Sequence, residues 1–106
     1  MPKIVRTKKL KNMMFIERIR QLRENRRLPQ RKLAEALDID SATYCKIERG
    51  ERRAKREHIP IIAQLLHTDH EELLTLWPAD QVAEVVENDR EISDRVLENV
   101  KQKLNE

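Results

Sequence analysis

The stretch PQRKLAEALDIDSATYCKIERG, residues 29–50, decides how this chain is read. Pro29 suits the first turn of a helix, where its missing N–H removes no bond. Leu33, Ala34 and Leu37 then recur at helical spacing and mark the buried side of a short helix. Asp38-Ile39-Asp40 interrupts it. Asp40 is a strong N-cap for a second short helix, because its carboxylate can accept from the free N–H groups of the first turn. Ile39 before that cap and Tyr44 four residues after it have the spacing of a hydrophobic staple. Tyr44 and Ile47 face inward. Gly50, the only glycine in the chain, falls just past the helix end, where a left-handed backbone closes the last turn.

Two short helices joined by three residues place strict demands on their neighbours. Where they cross closely, a small residue such as Ala34 is needed. At the turn, Asp38 must take an unusual backbone angle, which Asp tolerates better than most residues. A helix presented by its N-terminal end is what a major groove about 12 Å wide admits.

Outward from this stretch the chain reads as all-α. Phe15, Ile19 and Leu22 stripe a helix over about 13–26, with Arg18, Arg20, Arg23, Arg26 and Arg27 on its other faces. A fourth helix follows the charged segment 51–57 and runs to about Leu66, with Pro60 in its first turn and Ile62, Leu65 and Leu66 facing in. Thr68 or Asp69 caps a fifth, with Glu71 or Glu72 placed for a capping box. Leu73, Leu74 and Trp77 form its apolar side, and Pro78 is expected to end it. A short sixth helix carries Val82, Val85 and Val86. The last is expected to begin at Asn88 or Asp89, with Ile92, Val96, Val100 and Leu104 as its stripe. No repeat or low-complexity tract occurs.

Composition narrows the class. The chain has 106 residues, room for one ordinary domain, with 39% hydrophobic and 39% charged residues. That is too apolar for a disordered chain, and no run approaches the ~20 apolar residues of a membrane span. The N-terminus is basic without an apolar segment behind it, so no signal peptide is expected. One glycine leaves no Gly-rich phosphate loop. Cys45 is alone, which excludes an internal disulfide and suits a reducing cytoplasm. The net charge of +3 hides an asymmetry. Residues 1–58 hold 18 Lys and Arg against 8 Asp and Glu, whereas residues 59–106 hold 4 against 11. The basic half is suited to a polyanion.

At these residues the chain resembles the lambda-repressor-like, or Xre-type, helix-turn-helix regulators. The resemblance runs through Ile19-Arg20-Gln21-Leu22-Arg23, Pro29-Gln30-Arg31-Lys32-Leu33-Ala34, Leu37-Asp38-Ile39-Asp40 and Lys46-Ile47-Glu48-Arg49-Gly50. It continues through Ala63-Gln64-Leu65-Leu66 and Glu72-Leu73-Leu74, covering about residues 13–76. The usual glycine between the second and third helices is Asp38 here. The resemblance implies a five-helix DNA-binding domain over 13–76. A basic arm, 1–12, lies before it, and a helical C-terminal extension, 77–106, follows for dimerisation. It implies a homodimer on a partly palindromic double-stranded DNA operator. It also assigns roles to matching positions. Gln30 contacts a phosphate and steadies the recognition helix. Ser41, Ala42 and Lys46 face base edges, Thr43 contacts a phosphate, and Arg23 with Glu48 joins the first helix to the third.

Side-chain chemistry adds to these roles. Lys46 can reach a guanine O6 or N7, and Ala42 a thymine methyl, while bidentate readout is absent except for Arg49 at the far end. Much of the affinity is therefore expected from phosphates, with candidate contacts Arg31, Lys32, Arg49, Arg52, Arg53, Lys55 and Arg56. The arm, with Lys3, Arg6, Lys8, Lys9 and Lys11, is a candidate for the minor groove or a plain tail. Ile92, Val96, Val100 and Leu104 need a cover, either Val82 and Val86 of the same chain or a second subunit, and the second subunit is favoured for dimerisation. Cys45 as a thiol switch and a metal at His67, His70 and Glu71 are the weaker readings, and His58 is isolated. No cofactor, no metal site, no membrane and no enzymatic constellation is expected. The expected setting is the bacterial cytoplasm, at the nucleoid. Two functions compete: a transcriptional regulator, as repressor or autoregulator, and a protein-interaction module such as an antitoxin or an antagonist of another regulator.

Overall fold

Phe15, Ile16 and Ile19 bury one face of the first helix, α1 (Met14–Asn25), and fix its place against the core. A computed structural model describes residues 13–106; the basic arm lies outside the described residues. Five further α-helices follow: α2 (Gln30–Leu37), α3 (Ser41–Glu48), α4 (His58–Leu65), α5 (His70–Val86) and α6 (Ser93–Leu104). A 3-10 helix, Glu87–Ile92, links the last two. No strand occurs among the described residues. The architecture is the all-α helix-turn-helix domain expected, with a C-terminal helix beyond it.

Helices α1 to α5 enclose one core. Ile19, Leu33, Tyr44, Ile59, Ile62, Leu66 and Leu73 are its fully buried members, one or more from every helix except that Leu66 lies just past α4. Helix α2 packs on α3 and α4, while α5 packs on α1 and α4. Ala34 is buried in α2, where a larger side chain would hold its neighbours apart.

Four helix ends share one closing geometry. The N–H of Leu28 bonds to the carbonyl of Arg23 (3.1 Å), Ile39 to Ala34 (3.0 Å), Glu51 to Lys46 (2.9 Å) and Thr68 to Ala63 (3.0 Å). In each case the intervening residue is left-handed: Arg27 at φ 56°, Asp38 at φ 59°, Gly50 at φ 79° and His67 at φ 55°. This bonding satisfies carbonyls that the helix leaves open. Only one of the four is a glycine. The others accept the steric cost of a left-handed Cβ, about 1 kcal/mol each. Asp38 takes the unusual angle expected of it.

Two expectations fail in α5. Pro78 does not end the helix; it lies inside a continuous helix of 17 residues that includes Val82, Val85 and Val86. Pro78 leaves the carbonyl of Leu74 without its usual donor, but the helix is anchored on both sides of the defect. Just before it, Trp77 Nε1 donates to the carbonyl of Ala54 (2.9 Å). Just after it, the buried carboxylate of Asp80 accepts the backbone N–H groups of Met14 (2.8 Å) and Phe15 (2.8 Å). Asp80 thus caps α1 from 65 residues away, where no side chain of the preceding residue does so. The expected boundary at 76/77 falls in the middle of this helix. The last helix begins at Ser93 rather than at Asn88 or Asp89, because the backbone kinks at Asp89 (φ −126°, ψ 42°) and the intervening turn is 3-10.

Asp80→Ala is expected to lower the unfolding free energy by about 2 kcal/mol, through two unpaired N–H groups at the α1 terminus. Chemical denaturation measures it; a change within error would show that the cap contributes nothing. His67→Gly is expected to raise stability by about 0.5–1 kcal/mol, since glycine enters the left-handed region without a Cβ clash. An unchanged or lower melting temperature would count against that account.

Candidate nucleic-acid interface

Helix α3 is capped and then divided into two faces. The Asp40 carboxylate accepts the N–H of Thr43 (2.7 Å). That bond holds the Asp40 carboxyl below its ordinary pKa. Tyr44, Ile47 and Glu48 are buried. The helical step of 100° per residue puts Ala42, Lys46 and Arg49 on the opposite arc and Cys45 at its edge, while Ser41 lies in line with Glu48 two turns earlier, on the open leading turn. Ser41, Ala42, Lys46 and Arg49 are exposed; Thr43 and Cys45 are half-buried.

Behind this face, Glu48 is 2% exposed and fully used. Its carboxylate accepts from Arg23 Nε (2.7 Å) and Nη2 (3.1 Å), Gln30 Nε2 (3.0 Å) and the Tyr44 hydroxyl (2.7 Å). Arg23 also donates to the carbonyl of Leu28 (2.8 Å), at the turn into α2. Arg20 Nη2 donates to the backbone carbonyl of Glu48 (2.6 Å) at the end of α3. Burial pushes the Glu48 carboxyl up, but the bonds from Arg23, Tyr44 and Gln30 outweigh it and hold the group below its ordinary range. The bond to Glu48 raises Arg23 in turn. Burial raises the Tyr44 phenol, with the Glu48 charge reinforcing the effect. One carboxylate therefore ties α1 and α2 to α3 and sets the angle at which α3 is presented.

A family model described as a helix-turn-helix domain matches residues 15–76. The chain belongs to the helix-turn-helix domain family. No curated protein and no solved structure matches it.

Around the recognition helix of this helix-turn-helix domain, the cationic candidates differ in how freely they stand. Arg31, Lys32, Arg49, Arg52, Arg53, Lys55 and Arg56 are all exposed. Lys32 lies 4.0 Å from Glu35 and Arg49 3.3 Å from Glu51, pairs open to solvent that a phosphate can displace. Arg53 turns toward α5 and pairs with Glu84 (3.6 Å). Gln30 is half-buried and spends one amide hydrogen on Glu48, which leaves its second for another acceptor. Lys3, Arg6, Lys8, Lys9 and Lys11 lie outside the described residues.

Sequence reasoning misses two members of this site. Arg20 reads as one of several outer-face arginines, although it stands one turn before Arg23 and shares its side of α1. Tyr44 reads as core by its aromatic ring, which hides the hydroxyl that donates to Glu48 four residues on. Away from the site, the Asp80 cap of α1 likewise carries no local signal. Among the weaker readings, Cys45 is a free, half-buried thiol. His67 serves as the left-handed residue that closes α4. No group of three metal-capable side chains occurs among the described residues.

Glu48→Gln is expected to cost about 3 kcal/mol at neutral pH, because Arg23 loses its buried counter-charge. The Glu48 pKa is depressed on folding, so its stabilisation is complete above the ordinary carboxylate range and fades as pH falls through the folded value. The stability gap between the wild type and Glu48→Gln should therefore narrow from pH 7 to pH 3. A gap independent of pH would show that packing, not charge, makes the difference.

Proposed function

We propose that this chain is a sequence-specific transcriptional regulator of the Xre type. It lays α3 in the major groove and binds a partly palindromic operator as a homodimer, acting as a repressor or autoregulator in the bacterial cytoplasm. One observation carries the proposal: the leading turn and outward arc of α3 leave Ser41, Ala42 and Lys46 exposed, while Glu48 on the inner face anchors the helix to its two neighbours. A recognition helix needs both properties, a reachable leading turn and a rigid frame.

In this reading Lys46 reads a guanine edge and Ala42 meets a thymine methyl. Thr43, Gln30, Arg31, Lys32, Arg49, Arg52, Lys55 and Arg56 serve the phosphates, and Arg53 joins them by leaving Glu84. The short side chains at the leading turn leave much of the selection to the shape and deformability of the DNA. The acidic C-terminal half turns away from the duplex by like-charge repulsion.

Gel-shift titrations at two salt concentrations test the proposal. Affinity should fall steeply with salt, as counterions released from phosphates are recaptured. Binding to no DNA at low salt would favour the interaction-module reading. Lys46→Ala should weaken operator binding by about tenfold or more while changing random-DNA binding less. Arg31→Ala should weaken both alike and lower the salt slope by about 1. Equal losses for Lys46→Ala on both DNAs would reduce Lys46 to a backbone contact.

A further inference from the structure

Helix α6 is left uncovered. None of its residues is buried, and its packing is mainly against the 3-10 turn that leads into it. Leu97 is 41% exposed, Val100 46% and Leu104 78%; of the expected stripe, Val96 is half-buried and Ile92 lies in the 3-10 turn before the helix, so Leu97 takes the place beside Val100. A helix of 12 residues is marginal in water without a packed face. Leu97, Val100 and Leu104 are spaced by three and four residues, the repeat by which two helices interlock.

The charges choose the orientation. Asp94 and Lys101 are seven residues apart, two turns, and flank the same edge of the stripe beside Leu97. When two identical helices pair antiparallel, like edges meet in opposite directions. The edge that reads acid then base along one helix faces base then acid on the other. We propose that α6 pairs antiparallel with α6 of a second copy of this chain. The twofold axis lies beside Glu98 and Asn99, Leu97 packs on the partner's Val100, and Asp94 faces the partner's Lys101. The helix ends agree with this arrangement: Asp94 stands in the first turn of α6 and Lys101 and Lys103 in the last, so opposite helix termini and opposite charges come together. The pairing rests on the two-copy reading of the regulator, but it forms without DNA and is tested without DNA.

Sedimentation equilibrium of the full chain tests it, with Asp94→Lys, Lys101→Asp, the double exchange and Val100→Glu as variants. The wild type is expected to dimerise. Each single charge reversal should weaken the dimer about tenfold, since attraction becomes repulsion at both symmetry-related pairs. The double exchange should restore the dimer, and Val100→Glu should abolish it. Thermal melting checks that the α1–α5 core is unchanged in every variant. A chain that stays monomeric throughout overturns the pairing, whether the stripe is covered by its own Val82 and Val86 or is left bare. A dimer indifferent to these variants places the interface elsewhere. Weakening by the single reversals without rescue by the double overturns the antiparallel register. A dimer with this charge code that binds no DNA sinks the regulator reading and leaves the pairing intact.

Discussion

A buried carboxylate governs how this domain presents its recognition helix. Glu48 sits on the inner face of α3 and has to be satisfied there, because an unpaired charge in the core would cost several kcal/mol. Its partners come from α1 and α2, through Arg23 and Gln30, and from its own helix, through Tyr44. Hydrophobic contact alone would leave α3 free to slide or rotate, since apolar packing has little directionality. Hydrogen bonds of fixed geometry remove that freedom. The outward arc inherits its orientation from this inward anchor.

The helix ends do for the backbone what Glu48 does for the side chains. Four helices stop in the same hydrogen-bonded turn, and each stop redirects the chain toward the next packing partner. Three of them do so without glycine. The chain accepts local strain at Arg27, Asp38 and His67, and the packed helices on both sides hold these residues in place. Asp38 shows that the tight turn between α2 and α3 depends on the backbone angle rather than on glycine itself.

Helix α5 joins the five-helix core to what lies beyond it. Its first half completes the core through Leu73. Its second half crosses Pro78 and returns to α1 through Asp80. The extension is therefore built from the domain outward. The first helix owes its N-terminal cap to a residue past the matched family segment of 15–76. Asp80 is the last buried residue; beyond it α5 runs out from the core, the chain kinks at Asp89, and α6 carries its apolar stripe.

Features whose physics is local are legible along the chain. The apolar periodicity of each helix, the Asp40 cap, the left-handed Asp38 and Gly50, and the pairing of Arg23 with Glu48 all follow from neighbouring residues or from the motif they spell. The remainder depends on packing between distant segments. Nothing near Asp80 announces that its carboxylate caps a helix 65 residues away, and nothing near Pro78 announces that the helix continues through it. Arg20 joins the Glu48 cluster only once α1 lies across α3, and the Tyr44 hydroxyl, four residues from Glu48 in the same helix, completes it. A local rule weighs a proline or a carboxylate against its immediate turn. The folded chain weighs it against every group that packing brings within reach.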